Sequence, residues 1–343
     1  MPMENIKRIV AVSSCKGGVG KSTVAALLAR GLAQKGLKVG LADADLFGPS
    51  LPALFHLNQQ RVYTDDRNRL IPLMRDGLAL MSFGFLLGDA PAVMRGPMVA
   101  QYVQQVLINT AWGELDYLLI DMPPGTGDVQ LTITQTLRLH GAVIVTTPHN
   151  LSLVDVGRGI LMFEKVNVPI LGVIENMAYF VCEGCAKKHF PFGRNQNSLT
   201  DRFGVETLAQ WPISHTIQQG LGASDLDPLV IRTTECLLTA CEKNQGEQRG
   251  TPKIEFDAQK VTLSWPDGLT LCLSNRDLRL SCRCALCVDE HTGEKLLKEE
   301  TIRKDIAPKE ITPLGNYAIA VRWNDGHASG IYPYQQLLPS GID

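Results

Sequence analysis

Short apolar runs, separated by polar or glycine-rich segments, recur from Ile9 to Ile174. Runs of four to six mainly aliphatic residues are typical of strands buried on both faces of a sheet. The predicted strands are Ile9–Val12, Val39–Ala42, Leu78–Ser82, Tyr117–Ile120, Ala142–Thr146 and Ile170–Ile174. Between them lie helical stretches at Met98–Ile108, Leu131–Leu139 and Leu153–Val166. This alternation predicts an α/β fold with a mostly parallel, doubly wound sheet and helices on both faces.

The pattern changes after residue 242. A polar segment with glycine and proline, 243–252, is typical of a linker. Beyond it, the apolar runs Val261–Trp265 and Leu269–Leu273 flank a Pro-Asp-Gly turn, which predicts a hairpin, and Tyr317–Trp323 predicts a later strand. We therefore expect a large domain over 1–242 and a small α+β metal-binding domain over 253–343.

Composition and charge narrow the class of protein. The 343 residues are 45% hydrophobic and 20% charged, with a net charge of −2, as in ordinary globular proteins. The chain lacks the basic excess of nucleic-acid-binding proteins, an apolar run of membrane-spanning length and the apolar core of a signal peptide. We expect a cytoplasmic protein that binds neither nucleic acid nor membrane.

The segment Ser14–Thr23 (SCKGGVGKST) joins the first predicted strand to a helix-forming stretch. Strand, glycine-rich turn and helix is the context of a phosphate-binding loop (P-loop). The backbone N–H groups and the helix N-terminus would bind phosphates, Lys21 would reach the β- and γ-phosphates, and Ser22 would ligate Mg²⁺. The usual first glycine is Cys15 here, and a second lysine, Lys16, lies within the loop.

Carboxylates follow two further strands, where ligands of parallel sheets bind. Asp43 and Asp45 follow the second strand, and Asp121 follows the Tyr117–Ile120 strand. Such carboxylates can hold Mg²⁺ or orient attacking water; the alternative is that they cap turns, as is expected of Asp128. Gly125 and Gly127 give the loop after Asp121 the freedom that a γ-phosphate switch requires.

Cys182 and Cys185 form a Cys-x-x-Cys pair in a predicted loop after Ile174. A tetrahedral metal site needs four ligands, so two pairs from a two-fold dimer would complete it. The alternatives are a redox dithiol, zinc held between subunits, or no function.

Cys282, Cys284 and Cys287 lie within six residues, and His327 follows a later strand. Cys₃His is the ligand set of closed structural zinc sites, and we favour Zn²⁺ over an iron–sulfur cluster here. No ligand partner is identified for the other histidines, which are His56, His140, His149, His189, His215 and His291.

The P-loop with its extra lysine resembles that of the ParA/MinD-type ATPases, in which the residue matching Lys16 reaches the partner's nucleotide. The segments 43–52, 121–128 and 171–185 resemble the Mrp-like iron–sulfur cluster carriers. This resemblance implies that Asp45 activates water, that Asp121 supports Mg²⁺ together with Ser22 and Asp43, and that Asn176 contacts adenine. It implies a homodimer with a [4Fe–4S] cluster on the Cys182/Cys185 pairs. The predicted ATP-binding residues are Cys15, Lys16, Gly17, Gly18, Val19, Gly20, Lys21, Ser22, Thr23 and Asn176, with Lys16, Lys21 and Asp45 as the catalytic residues.

Cys15 and the presence of a C-terminal domain resemble the plastid carriers of the high-chlorophyll-fluorescence type. The C-terminal segment resembles the zinc-binding N-terminal domain of γ-butyrobetaine hydroxylase, in which a distant histidine matches His327. No transit peptide is visible, so bacterial cytoplasm is the favoured compartment.

The sequence thus predicts a slow ATPase that carries a [4Fe–4S] cluster, receives it from cluster donors and transfers it to apo-proteins. The alternative is a ParA/MinD-type positioning ATPase, which would require a basic tail or patch that the chain lacks and would leave the Cys182/Cys185 pair unexplained. An oxygenase is rejected, because no histidine begins a His-x-Asp or His-x-Glu pair.

Overall fold

The computed structural model forms two compact units, Met1–Gly193 with Leu208–Cys241, and Arg194–Thr207 with Glu242–Asp343. The second unit contains residues 204–207 together with the C-terminal part of the chain. In that unit, a Cβ on Gly204 would lie 2.5 Å from Pro333 Cβ. The structure describes residues 3, 5–46, 48–87, 103–125, 128–148, 150–166, 168–193, 204–215, 217, 225–246, 252–284, 286–288, 294–314, 318–328 and 330–337.

The first unit is built on a nine-stranded sheet with the order β3-β4-β2-β5-β1-β6-β7-β8, and β9 also pairs with β7. The six predicted strands are all present and run parallel, which confirms the α/β class. The strands are β1 (Ile6–Ser13), β2 (Val39–Asp43), β3 (Leu73–Arg75), β4 (Leu78–Ser82), β5 (Leu115–Asp121), β6 (Gly141–Thr146), β7 (Ile170–Val181), β8 (Lys188–His189) and β9 (Thr207–Pro212).

The helices of this unit cover a core of buried aliphatic side chains. α1 lies against the sheet through Val24, Leu27 and Leu28, all fully buried. The helices are α1 (Lys21–Gln34), α2 (Leu51–Leu54), α3 (Gly84–Leu87), α4 (Asp128–Thr136), α5 (Asn150–Lys165) and α6 (Pro228–Gly246), with a π-helix at Gln104–Ile108. α4 and α5 begin three residues before the predicted positions, and residues 98–102 of the predicted Met98–Ile108 helix lie outside the described residues.

One difference from the sequence prediction bears on function. The strand predicted to end at Ile174 continues for seven more residues to Val181, and β8 pairs back onto it. Asn176 therefore lies within a strand, and the Cys182/Cys185 pair lies in the turn of a β-hairpin.

The second unit contains two antiparallel three-stranded sheets. In the first, the predicted hairpin is present, and Gly268 adopts the positive φ of 92° that its turn requires. Val261 and Leu263 alternate inward from this hairpin onto Trp323. The elements are β10 (Lys253–Phe256), β11 (Lys260–Ser264), β12 (Thr270–Ser274), α7 (Asn275–Leu280), a 3₁₀ turn (Glu299–Thr301), β13 (Pro308–Leu314), β14 (Ala318–Trp323), β15 (Gly330–Pro333) and α8 (Tyr334–Leu337).

Among the described helices, none is long and apolar enough to cross a bilayer.

Candidate functional site

The P-loop connects β1 to α1 at the carboxyl edge of the sheet. Gly18 and Gly20 adopt positive φ angles of 78° and 82°, which only glycine adopts without strain. Among the described residues, a Cβ placed on Gly17 or Gly18 would meet no atom within 4 Å, so they leave the space above this part of the loop open. The loop and the N-terminus of α1 therefore form an open concave site of the kind that binds phosphate groups.

Asn176 holds the last turn of this loop from β7. Its side-chain Nδ2 donates a 2.8 Å hydrogen bond to the carbonyl of Val19. A Cβ on Gly20 would lie 2.3 Å from the same nitrogen, so glycine is needed here for space as well as for φ. The family resemblance implies that Asn176 contacts adenine, which stays a prediction; in this structure its amide bonds the loop backbone.

Lys21 and Asp121 form a buried ion pair beneath the loop. Lys21 Nζ contacts Asp121 Oδ1 and lies 3.4 Å from Ser22 Oγ, so the structure brings these three predicted residues together. Burial raises the pKa of Asp121 above its ordinary value, although the Lys21 ammonium opposes that shift. Asp121 Oδ2 is buried without a hydrogen-bond partner in the described part of the chain, as suits a carboxylate that can accept a cation.

Asp43 organises the neighbouring loop. Its carboxylate accepts hydrogen bonds from the backbone of Asp45, Ser50 and Leu51 and from the Ser82 hydroxyl, at 2.8–3.1 Å. Burial and the nearby Asp121 charge raise its pKa to about 7, against the effect of these donors. Four donors satisfy both oxygens, so Asp43 shapes the loop that carries Asp45. The sequence grouped Asp43 with the Mg²⁺ ligands and did not show this role.

Asp45, Lys16 and Thr23 are more accessible than the buried pair. Asp45 is half-buried and accepts a 3.2 Å hydrogen bond from the Gly48 amide, while Lys16 is exposed and Thr23 half-buried. The loop after Asp121 approaches the P-loop through a 3.0 Å bond from the Gly125 amide to the Ser14 carbonyl. Gly127 lies outside the described residues, and Asp128 is the first residue of α4.

Cys15 packs against α5. Its Sγ lies 2.6 Å from where a Cβ would stand on Gly159, so this helix position must be glycine for the thiol to fit. A small side chain thus replaces the usual glycine of the loop, and the absence of a side chain at Gly159 leaves space for it.

The Cys182/Cys185 pair lies in the β7–β8 turn, with Cys182 half-buried and Cys185 exposed. The backbone N–H groups of Cys185 and Gly184 donate to the Cys182 thiol and lower its pKa below the ordinary value. His189 on β8 joins the pair, with 3.9 Å between Cys185 Sγ and His189 Nε2. The sequence gave His189 no partner; its spacing four residues after Cys185 was the signal that could have found it.

Cys282, Cys284, Cys287 and His327 meet in the second unit, with all four ligand atoms within 4.8 Å of one another. The distances from His327 Nε2 to the three sulfurs are 3.3, 3.5 and 3.9 Å. Cys282 and Cys287 are each 1% exposed. The thiols of Cys284 and Cys287 raise the pKa of His327 to about 9, and those of Cys284 and Cys287 also raise the pKa of Cys282.

Two further side chains support this group from a second layer. Arg279, 5% exposed, donates to Cys287 Sγ at 3.3 Å and to Asp325 Oδ2 at 2.9 Å. Asp325 also accepts a 2.9 Å bond from the His327 amide and so fixes the turn that carries the histidine. A buried guanidinium beside thiolates offsets their charge, and nothing in the sequence indicated this role for Arg279.

A sheet of this topology, with a P-loop after β1 and carboxylates after β2 and β5, defines a P-loop nucleotide-binding protein. A family model described as NUBPL iron-transfer P-loop NTPase, of the ParA group, matches residues 5–239, and the chain belongs to this family. A second model, described as the N-terminal region of γ-butyrobetaine hydroxylase-like proteins, matches residues 253–338. The resemblances found in the sequence are confirmed for both regions.

Two characterised relatives illustrate the match. The chloroplastic Fe-S cluster assembly factor HCF101 of Oryza sativa subsp. japonica is 42% identical over 348 residues, covering 98% of this chain and 65% of that protein. The iron-sulfur cluster carrier protein of Escherichia coli strain K12 is 44% identical over 240 residues, covering 69% of this chain and 64% of that protein. The chain thus spans less than two thirds of the length of these relatives.

Solved structures agree on the fold. A nucleotide-binding protein from Archaeoglobus fulgidus in complex with ADP superimposes with a TM-score of 0.57 at 40% identity, covering 68% of this chain and 90% of that one. The cell division ATPase MinD of Pyrococcus furiosus gives 0.50 at 21% identity, covering 68% and 99%, which shows the shared fold alone.

Proposed function

We propose that this protein is an ATP-dependent carrier of iron–sulfur clusters that accepts a [4Fe–4S] cluster from a donor and transfers it to apo-proteins. The observation that carries the proposal is the Cys182/Cys185 pair, half-buried at Cys182 and exposed at Cys185, in the same unit as an open P-loop. Family membership supports it, as does the similarity to the Fe-S cluster assembly factor and the iron-sulfur cluster carrier protein described above.

ATP and Mg²⁺ fit the residues around the P-loop. The loop 15–23 would hold the phosphates, and Ser22 with Asp121 would hold Mg²⁺. Asp121 Oδ2 suits this role, because it has no hydrogen-bond partner among the residues that the structure describes. Bound Mg²⁺ would neutralise phosphate charge during hydrolysis. When ATP binds, the Lys21 ammonium would leave the Asp121 carboxylate and bind the phosphates, because carboxylate and phosphate oxygens compete for the same ammonium.

The half-buried Asp45 would orient the attacking water, and the exposed Lys16 would reach the nucleotide of a second protomer. Hydrolysis would then require a homodimer. The same two-fold dimer would bring two Cys182/Cys185 pairs together and provide four thiolates for one cluster. Because nucleotide and cluster would share one interface, each would influence the binding of the other.

In the second unit, we propose Zn²⁺ on Cys282, Cys284, Cys287 and His327. The donor set, the ligand spacing and the burial of two sulfurs fit a closed structural site, and bound Zn²⁺ would crosslink the turns that supply the ligands.

The positioning alternative is less supported. MinD shares the fold with this chain at 21% identity, whereas the proteins at 42% and 44% identity carry names of iron–sulfur assembly and carriage.

Anaerobic reconstitution with iron and sulfide tests the cluster proposal. We expect the Cys182→Ala/Cys185→Ala double variant to lose the cluster absorption and the transfer to an apo-ferredoxin. The matched control, Cys236→Ala/Cys272→Ala, changes two exposed cysteines outside both groups and should behave as wild type. Normal cluster transfer by the first variant would overturn the proposal.

Substitution of the lysines tests the nucleotide part. Lys21→Ala should lower ATP hydrolysis by at least about a hundredfold, because it removes phosphate contacts in the transition state. Lys16→Ala should bind ATP yet lose both hydrolysis and nucleotide-dependent dimerisation, measured by light scattering. Lys38→Ala, at an exposed lysine, is the control. If Lys16→Ala hydrolysed ATP at the wild-type rate, an ATP site completed by Lys16 of a second protomer would be excluded.

A further inference from the structure

His189 lies beside the Cys182/Cys185 pair in the β7–β8 hairpin. Within the described part of the chain, one ligand atom from each of Cys182, Cys185 and His189 lies within 4.8 Å of the other two. Cysteine thiolate and imidazole are the two ligands that zinc and related divalent ions prefer. The hairpin therefore presents three ligands from a single protomer, not two.

The hairpin positions the imidazole. His189 is the register partner of Phe180, and the two rings stack with centroids 5.1 Å apart and 14° between their planes. The Cys182 amide donates to the Lys187 carbonyl at 3.0 Å, and the Ala186 amide donates to the Cys182 carbonyl at 2.8 Å. These contacts fold residues 182–189 into one closed turn that aims the ring at the thiols.

The Cys-x-x-Cys turn is itself shaped for a metal. The N–H groups of Cys185 and Gly184 donate to Cys182 Sγ, which stabilises a thiolate at that position. Ala186, directly after the second cysteine, takes a positive φ of 55°, which turns the chain back toward β8. This backbone reversal is what brings His189 to the thiols.

The spacing of the ligand atoms distinguishes one ion from a cluster. Bond lengths of about 2.3 Å to sulfur and 2.0 Å to nitrogen place the ligands of one tetrahedral ion roughly 3.5–3.8 Å apart. The 3.9 Å between Cys185 Sγ and His189 Nε2 is close to that value. In a four-iron cluster each thiolate binds a different iron, so the ligands stand farther apart.

We propose that Cys182, Cys185 and His189 of one protomer bind a single thiolate-preferring divalent ion, of the class of Zn²⁺, Co²⁺ or Fe²⁺. Three protein ligands leave the fourth position open, and Cys185 and His189 are exposed, so the ion is exchangeable. This site goes beyond the proposed function, because it needs neither sulfide nor a second protomer. It also uses the thiols that the cluster needs, so ion and cluster exclude each other.

Cobalt titration of the reduced full-length chain tests the site, without iron, sulfide or nucleotide. Tetrahedral Co²⁺ with thiolate ligands absorbs in the visible region, which reports both stoichiometry and ligand type. We expect wild type to bind one more Co²⁺ per chain than Cys182→Ala/Cys185→Ala, in which the Cys₃His group alone remains. The extra ion should bind to monomers, as judged by light scattering of the loaded sample.

His189→Ala should weaken binding of this extra Co²⁺ at least tenfold and alter its absorption. The matched control is His215→Ala, at an exposed histidine outside both metal-ligand groups. His189→Cys should restore binding with stronger thiolate-to-cobalt charge transfer. The proposal is overturned if His189→Ala binds the extra Co²⁺ with the affinity and absorption of wild type. It is also overturned if the extra ion binds at one per two chains.

Cluster reconstitution of the same variants separates this proposal from the proposed function. His189→Ala should still accept a cluster, because both cysteines remain, and added Zn²⁺ should inhibit reconstitution of wild type more than of His189→Ala. If wild type binds the extra Co²⁺ but does not transfer a cluster, the carrier proposal is refuted and the single-ion site is not. Equal inhibition of both proteins by Zn²⁺ would count against the single-ion site.

Discussion

In the first unit, Cys185 and His189 are exposed in a hairpin turn, and the hydrophobic core lies elsewhere, around α1 and the parallel sheet. In the second unit, Cys282 and Cys287 are themselves members of the hydrophobic core, beside Trp323 and Tyr332. The same residue type therefore serves two purposes. Where the core is large, the cysteines can bind and release a metal ion or cluster while the fold persists. Where the unit is small, the ligand group is part of what holds it together.

The largest expected effect is the loss of the second unit's fold when a ligand of the proposed Zn²⁺ site is removed. Binding of a structural ion supplies roughly 10 kcal/mol or more to a small metal domain. Cys282→Ser should therefore unfold this unit, seen as a loss of near-ultraviolet circular dichroism from Trp265 and Trp323, while nucleotide binding persists. The exposed Cys272→Ser should leave the signal intact. A second unit that melts normally in Cys282→Ser would remove the contrast between the two units.

Glu164 should give the next largest effect, in the first unit and without any metal. It is 7% exposed on α5, and neither carboxylate oxygen has a hydrogen-bond partner in the described part of the chain. Burial raises its pKa to about 8. Since the unfolded carboxyl ionises near its ordinary pKa of 4.5, stability should fall as the pH rises from about 4.5 to 8 and stay level above that.

Glu164→Gln cannot ionise, so this fall should shrink by roughly 2–4 kcal/mol. Urea unfolding of the first unit at several pH values measures it. Glu114→Gln, at a side chain that is 80% exposed, is the control. An unchanged pH profile in Glu164→Gln would show that another group sets the pH dependence.

Arg279 should have a moderate effect, confined to the second unit. Arg279→Lys keeps the charge and loses the fork that bonds Cys287 and Asp325 together. Outer-layer partners of metal ligands are worth 10- to 100-fold in affinity, so Zn²⁺ affinity, measured by competition with a chelator, should fall by about that factor. Arg276→Lys, at a more exposed arginine of the same helix, should change it little. Equal Zn²⁺ affinities of wild type and Arg279→Lys would mean that Arg279 contributes packing and not support of the metal ligands.

The smallest expected effect completes the comparison. Cys182→Ser/Cys185→Ser should change the unfolding free energy of the first unit in the metal-free chain by less than about 0.5 kcal/mol, because the pair lies outside the core. Calorimetry of wild type and variant, both treated with chelator, measures this difference. A loss of several kcal/mol would show that the hairpin supports the first unit as the Cys₃His group supports the second.

Much of this fold could be predicted because its determinants are local. The buried strands are continuous apolar runs, and the loop Ser14–Thr23 has a strand before it and a helix after it. The two cysteine groups were visible from spacing within a few residues. Helix starts were less accurate, because α4 and α5 begin with polar residues that carry no hydrophobic periodicity.

The class of the fold, the phosphate loop and the candidate ligands follow from the order of residues along the chain. Which side chains meet depends on how the chain folds in three dimensions. Asn176 bonds Val19 across 157 positions, and Asp43 accepts a bond from Ser82, 39 positions away. His189 lies near Cys185 in the chain, but only the register of β7 and β8 turns it toward the thiols. A hydrogen bond or a metal site depends on distances of a few ångströms, which spacing along a chain specifies only after the backbone between has folded.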